Sequence, residues 1–343
     1  MPEALQHSSA AVLEWDSLRQ MLRGYATSPL GQARIESLAA TADRTWIARQ
    51  QRLTAEVREF LRAGGRFDFS GLLDPGTLLD KAKIEGVALE AGAIRDILLL
   101  VDRADEWRAI AKEPPSAMRA AELRSAGQAG APVPTQSSPW PAVAELSAGI
   151  GDFTELLRSL RNKILPDGTL DDRASAELAR IRREVEKQKR LIQDSLHSYL
   201  RRLAEGGTVQ EELVTIRGER FVIPVKAEQK RRVQGVVHGA SSSGQTVFVE
   251  PLETIEQNNE LVRLMEEEQA EIHRILLEMT RRIAGQAGEI QLAIEILGEL
   301  ELQFAKARFA EEYNCVAAEF PVSSFQFQVE EQPLISLIDA DER

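Results

Sequence analysis

Along this chain the spacing of apolar residues changes character from segment to segment. Through the first 110 residues they recur every three or four positions. Ala11, Trp15, Leu18, Leu22 and Tyr25 are separated by four, three, four and three, which lays one stripe along a helix. Ser28-Pro29 breaks that helix, because the residue before proline is pushed out of the helical region. Asp43 is placed to cap a second helix carrying Leu53, Val57, Phe60 and Leu61, and Gly64-Gly65 to end it. A third runs from about Leu89 to Trp107 with Ile94, Ile97, Leu98 and Val101 inward, closed by Pro114-Pro115. These helices predict a compact helical core. Residues 125–141 are rich in Gly, Ser, Ala and Pro and predict a loop or linker.

The middle of the chain has longer periods. From Asp172 to about Glu205, Leu178, Ile181, Val185, Ile192, Tyr199 and Leu203 mark a stripe of roughly 3.5 residues, stopped by Gly206-Gly207. From about Leu252 to Glu312 a second helix is predicted. Its heptad positions run Ile255, Asn258, Val262, Met265, Gln269, Ile272, Leu276, Met279, Ile283, Gln286, Ile290, Ala293, Leu297, Leu300, Phe304 and Ala307. At about 1.5 Å per residue, about 60 residues would span roughly 90 Å, so such a helix has to project as an arm or run along a partner. Asn258, Gln269 and Gln286 fall on the seam, which suits control of register. Gly285, Gly288 and Gly298 mark where a kink would fall.

Between the two long helices the period drops to two. Val214, Ile216, Phe221, Ile223 and Val225 are β-branched or aromatic, with Gly218 at a hairpin turn. Val236-Val237 and Val247-Phe248-Val249 predict further strands. The tail returns to short strand-like pieces, Phe325 to Val329 and Leu334 to Ile338, and Asp339-Ala-Asp-Glu-Arg343 has no capping feature. The expectation is a chain that stops ahead of a further domain. The predicted fold is mainly α: a helical core and two antiparallel coiled-coil lever arms with a small β clamp at their tip. Its divisions are 1–145 helical core, 146–206 core return and descending lever helix, 207–251 β clamp, 252–312 ascending lever helix and 313–343 the start of the next domain.

Charge sharpens this picture. The chain of 343 residues holds 42 Lys and Arg against 54 Asp and Glu, a formal charge of −12. Residues 173–240 nevertheless hold 15 basic and 9 acidic residues, and 252–312 hold 6 and 14. A basic descending helix lying on an acidic ascending one accounts for much of the asymmetry. It accounts less well for the tip, where Arg217, Arg220, Lys226, Lys230, Arg231 and Arg232 meet only Glu219 and Glu228 over 217–240. Ser242 and Gln245 follow in a run of small polar residues, Ser241 to Gln245. Cations beside hydroxyl and backbone N–H donors suit a polyphosphate. A solubilising turn fits the same residues.

Catalytic readings are weak. Gly239 to Thr246 mimics a phosphate-binding loop, but Gln245 stands where its lysine belongs and a strand follows where a helix is needed. Ser241 to Ser243 have only His238 nearby as a base. Glu266-Glu267-Glu268 reads as a solvated helix face. The lone Cys315 forms no disulfide within the chain and reads as a small buried residue, and the four histidines are far apart in sequence. Neither catalysis nor a metal site is expected in this chain. No run of 18 apolar residues suggests a membrane span, and no signal pattern opens the chain. The expected setting is cytoplasmic.

Several motifs together resemble the MutS family, in its second, anti-recombination type. They are Leu13-Glu14-Trp15, Tyr25-Ala-Thr-Ser-Pro-Leu-Gly31, Pro166-Asp-Gly-Thr-Leu-Asp-Asp172, Ile181-Arg-Arg-Glu184, Val222-Ile-Pro-Val-Lys226, the run Gly235 to Pro251, Asn258-Asn-Glu-Leu261 and Phe304-Ala-Lys-Ala-Arg-Phe309. The resemblance covers residues 10 to about 315. It implies a helical core, a lever of two antiparallel helices and a β clamp. It also implies an ATPase domain using ATP and Mg, which makes a homodimer, and a terminal Smr nuclease domain, neither of which is expected within this chain. Branched or recombining DNA, and stalled or collided ribosomes with their structured RNA, are the implied partners. A structural coiled-coil protein whose β tip binds another protein is the alternative.

Overall fold

The computed structural model describes Val12 and residues 14–112, 140–204 and 213–319. Ten α-helices and four strands are described here. They are α1 (Trp15–Arg23), α2 (Pro29–Glu36), α3 (Arg44–Arg62), α4 (Gly76–Ala82), α5 (Ala91–Lys112), α6 (Pro141–Ser147), α7 (Thr154–Leu160), α8 (Ala176–Ala204), β1 (Thr215–Arg217), β2 (Arg220–Lys226), β3 (Gly235–Ala240), β4 (Thr246–Pro251), α9 (Ile255–Gly285) and α10 (Ala287–Glu312). The protein is mainly helical with one small antiparallel sheet, in the order β1-β2-β4-β3.

Local signals set the helix ends. Asp43 accepts from the amides of Thr45 and Trp46 and caps α3. At its far end the Gly65 amide donates to the Phe60 carbonyl, with Gly64 at φ +86°. The Ser28 hydroxyl accepts from the Gly31 amide ahead of Pro29, opening α2. The α6 N-terminus is answered from another helix: the buried Glu56 carboxylate accepts from the amides of Ala142 and Val143 at 3.0 and 2.8 Å. Trp140, at the end of the expected linker, is buried, and Pro141 begins a helix. The expectations for Pro114-Pro115, the rest of the linker and the strand-like tail lie outside the described residues.

The single long helix expected over 252–312 is two helices. The chain breaks at Gln286, which has φ −117° and ψ 16°. The two halves do different work. In α10 every residue from Ile296 to Ala305 is buried, so this is a core helix covered all round. It packs against α2 and α3. Phe304 meets Phe60, Phe69 and Trp107 edge-on, at centroid separations of 5.8, 5.2 and 5.7 Å. The heptad pattern runs through the break because a buried helix also presents apolar residues every three to four positions.

A helix buried all round must answer its polar side chains internally. Glu301 accepts from the amides of Thr27 and Ser28 at 2.7 and 2.8 Å. Glu299 accepts from Arg34, Gln50 and Gln303 at 2.8, 2.7 and 2.8 Å. Burial alone would raise the Glu299 carboxyl, but these donors outweigh it and hold it below the usual carboxylate range. Lys306 donates to Gln50 Oε1 at 2.6 Å, and burial pushes its ammonium down to about 8.

The other long pair is antiparallel. Along α8 and α9, Ser175 meets Glu271, Arg182 meets Glu268, and Gln188 donates to the Gln257 carbonyl. The 29 residues of α8 correspond to about 43 Å of rise. The α9 residues buried along its length are Asn258, Leu261, Leu264, Glu271, Ile275, Met279, Thr280 and Ile283. Asn258, Met279 and Ile283 fall on the expected seam, whereas from 261 to 275 the buried line is shifted by one residue from it, and Gln269 is exposed. Adjacent apolar pairs at 261/262 and 264/265 left both registers open, and an untwisted helix drifts from a strict heptad. On α8 the stripe continues through Leu196 and Leu200, both fully buried.

Lys306 generates a stability prediction. A lysine lowered in the folded state and near 10.5 when unfolded leaves the unfolded chain binding more protons between those values. Stability therefore rises with pH from about 8 to 10.5, by about 3 kcal/mol at most. Lys306→Met removes that rise and raises stability at pH 7, since Gln303 still donates to Gln50 Oε1. Urea melts of both proteins at pH 7 and 10 measure the difference.

Candidate nucleic-acid interface

The tip is built on a two-residue hairpin. Arg217 pairs with Arg220 across β1 and β2, and between them Gly218 and Glu219 have φ +54° and +63°. Two successive positive φ angles are what a type I′ turn needs. Ile223 lies opposite Val249 and Val225 opposite Val247, and these four side chains pack with Phe221, Ile192, Leu196, Leu200, Leu261 and Leu264 into one apolar cluster. The sheet thus sits against both long helices.

Polar contacts fix the sheet on α9. The Phe221 amide donates to Asn258 Oδ1 and Asn258 Nδ2 donates to the Phe221 carbonyl, both at 3.0 Å. Asn258 is fully buried, so its place on the expected seam reflects docking to a strand. Beside it, Glu250 on β4 is only 2% exposed. Arg220 Nη1 donates to its Oε1 at 2.8 Å, and His238 Nε2 lies 2.6 Å from its Oε2. The second arm of Arg220 donates to Asn259 Oδ1 at 2.7 Å.

This geometry sorts the expected site residues. Arg220 is half-buried and its charge is answered by Glu250. Arg217 is exposed and stacks on the Phe248 ring, 4.3 Å from its centroid. Lys226, half-buried, ends β2 opposite Thr246. Lys230, Arg231 and Arg232 are exposed on a short 3₁₀ segment, Ala227–Arg232. Among the described residues none of Arg217, Lys226, Lys230, Arg231 and Arg232 has a carboxylate within ion-pair distance.

The small polar run forms the β3–β4 turn. The Gly244 amide donates to the Ser241 carbonyl at 2.9 Å and Gly244 has φ +69°, leaving Ser242 and Gln245 exposed. The Ala227 amide donates to the Gln245 carbonyl at 2.9 Å, which ties this turn to the start of the cationic segment. A strand lies on each side of the turn. The residues missed from sequence are Glu250, Asn258 and Asn259 as partners of the strand. Glu250 lies outside the cationic stretch 217–240 in sequence, and only strand register brings it to Arg220 and His238. Cys315 is half-buried, less covered than expected.

Among the described residues no group of three or more His, Cys, Asp or Glu side chains is placed to hold a metal ion. No helix among them is long and apolar enough to cross a membrane.

No family model matches the chain. Curated relatives do. It is 33% identical over 306 residues to the Endonuclease MutS2 of Pelotomaculum thermopropionicum, covering 89% of this chain and 36% of that protein. The protein of the same name from Thermomicrobium roseum is 33% identical over 308 residues, covering 90% and 36%. That of Acetivibrio thermocellus is 31% identical over 312 residues, covering 91% and 37%. The chain spans little more than a third of the length of these relatives. With the tip motifs built into one sheet, this chain is similar over some nine tenths of its length to these proteins, which carry the name of the second type of the MutS family.

Proposed function

We propose that the β tip is a clamp that grips the phosphate backbone of DNA, carried by α8 and α9 as lever arms. The observation that carries this is that Arg217, Lys226, Lys230, Arg231 and Arg232 have no carboxylate partner among the described residues and lie beside a turn of exposed small polar residues. Contacts of this kind position a protein on a duplex and read little sequence, which suits branched or recombining DNA as target. Catalysis has no part in this chain's role. In the whole protein, ATP and Mg act in a domain beyond the matched third, which also makes the homodimer, and the endonuclease activity in the relatives' name lies beyond that third as well. Arm closure in the dimer then encircles the target, as part of a cytoplasmic protein that restrains recombination.

A second reading has the tip bind a protein surface, as at a stalled ribosome. It draws on Ile216, Val236 and Val237, exposed on the two edge strands of the sheet.

Replacing Lys230, Arg231 and Arg232 by Ala tests the first reading. The slope of log affinity against log salt for duplex or four-way-junction DNA is expected to flatten by about 3 if all three meet phosphates. An unchanged slope and affinity reject the clamp. Binding to ribosomes that survives high salt and excess DNA supports the second reading.

Arg220 behaves differently. Arg220→Ala leaves the buried Glu250 carboxylate without its cation, a loss of about 2 kcal/mol given the partial exposure of the arginine. Urea melts are expected to show that loss, while the salt slope of the folded variant stays that of the parent protein. A parallel drop in slope places Arg220 on the DNA instead.

A further inference from the structure

The proposed clamp leaves a second group of cations unused. The basic residues of α8 were expected to pair with acidic ones on α9, and the structure divides them. Arg182 meets Glu268 across the pair and Arg202 meets Glu253. Arg180 is held within the helix by Glu177 and Glu184, and Lys189 by Glu186. Arg183, Lys187 and Arg190 are exposed and have no ion pair among the described residues. Arg183 Nε donates only to the Ala179 carbonyl of its own helix, and Arg190 feels the Glu186 carboxylate at longer range.

These three lie at i, i+4 and i+7, on one face of the helix. Their axial steps are about 6 and 4.5 Å. Successive phosphates of one duplex strand rise by about 3.4 Å, so the row is long enough for two to three of them. A shallow open groove of about 500 Å³ runs beside the row, lined by these residues together with Asp172, Glu186, Leu191 and Asp194. Two of its carboxylates are already occupied, Asp172 by Arg182 and Glu186 by Lys189. Asp194, one turn beyond Arg190, marks where the cationic row ends.

We propose that this face of α8 is a second DNA-backbone contact, so that the arm itself tracks a duplex leading away from the tip. The proposal rests on the clamp reading for its ligand but on different residues for its evidence. It explains why surplus positive charge on α8 lies on the side away from the acidic helix.

The test uses the 343-residue chain and a fluorescent duplex of defined length, titrated across about 50 to 200 mM salt. Three proteins are compared with the parent: Arg183→Gln/Lys187→Gln/Arg190→Gln, the Lys230/Arg231/Arg232 Ala variant, and both sets combined. The helix variant is expected to flatten the slope by about 2 to 3 and to weaken binding at least about tenfold at low salt. Arg180→Gln is the control for net charge, since its guanidinium is already bonded to two glutamates. It is expected to bind like the parent, whereas Lys187→Gln alone is expected to bind more weakly. Circular dichroism melts verify that each variant is folded. A helix variant that binds like the parent, while the tip variant weakens, overturns the α8 contact and leaves the clamp standing. A weakened helix variant with an unchanged tip variant supports the α8 contact and rejects the clamp. If Arg180→Gln weakens binding as much as Lys187→Gln, the effect is one of total charge and the α8 contact is rejected.

Discussion

A strand laid against helices has backbone groups that no neighbouring strand can reach, and burial makes each unpaired one costly. Asn258 meets that constraint here. One amide side chain answers both the N–H and the C=O of Phe221, acting as a short substitute for a strand at the place where β2 lies against α9. The direction in which the tip points depends on this docking. The apolar cluster of Ile192, Leu196, Leu200, Leu261 and Leu264 supplies the driving force but is non-directional. The paired hydrogen bonds supply the orientation, and Arg220 with Glu250 and Asn259 adds a second fixed point.

Charge in this molecule has meaning only after partners are assigned. The sequence carries a net of −12, yet its tip and one side of α8 are locally cationic. The decision is made residue by residue. Arg220, Arg180 and Arg182 stand beside carboxylates, and their Coulombic interaction with a phosphate is largely offset by the partner already there. Lys230, Arg231, Arg232, Arg183 and Lys187 face water. At physiological salt, exposed charges beyond about 8 Å are screened, so the acidic faces elsewhere do little to weaken a polyanion held at these surfaces.

Much of the architecture was legible because local signals and tertiary contacts agree. The Asp43 cap, the Gly64-Gly65 stop and the Gly218 turn each rest on chemistry within a few residues. The sheet followed from period-two alternation in Val214 to Val225. What was not legible depends on contacts distant in sequence. A helix buried on all sides and a helix in a coiled coil share the same apolar recurrence, so α10 read as the continuation of an arm. The role of Asn258 needed Phe221, 37 residues earlier. Glu250 needed the register of β4 against β2 and β3. Within the candidate site, Lys230, Arg231 and Arg232 are exposed while Arg220 is paired with Glu250, and composition alone could not tell them apart.

The junction between the two packed regions along α8 and α9 explains why the seam could not be continuous. Two apolar clusters flank it: Leu178, Ile275 and Met279 belong to the large core, and Ile181, Val185, Leu261 and Leu264 to the tip cluster. Between them the facing positions are polar. Glu271 takes bonds from Ser175 and Arg274, and Arg182 bridges Glu268, Asp172 and the Leu170 carbonyl. Ion pairs at partly exposed positions are worth far less than the burial of leucine side chains on either side. The joint is therefore held chiefly by directional contacts between two separately packed regions. The polar belt of Arg182, Glu268 and Glu271 keeps the tip cluster and the body as distinct units of packing, joined by the backbones of α8 and α9.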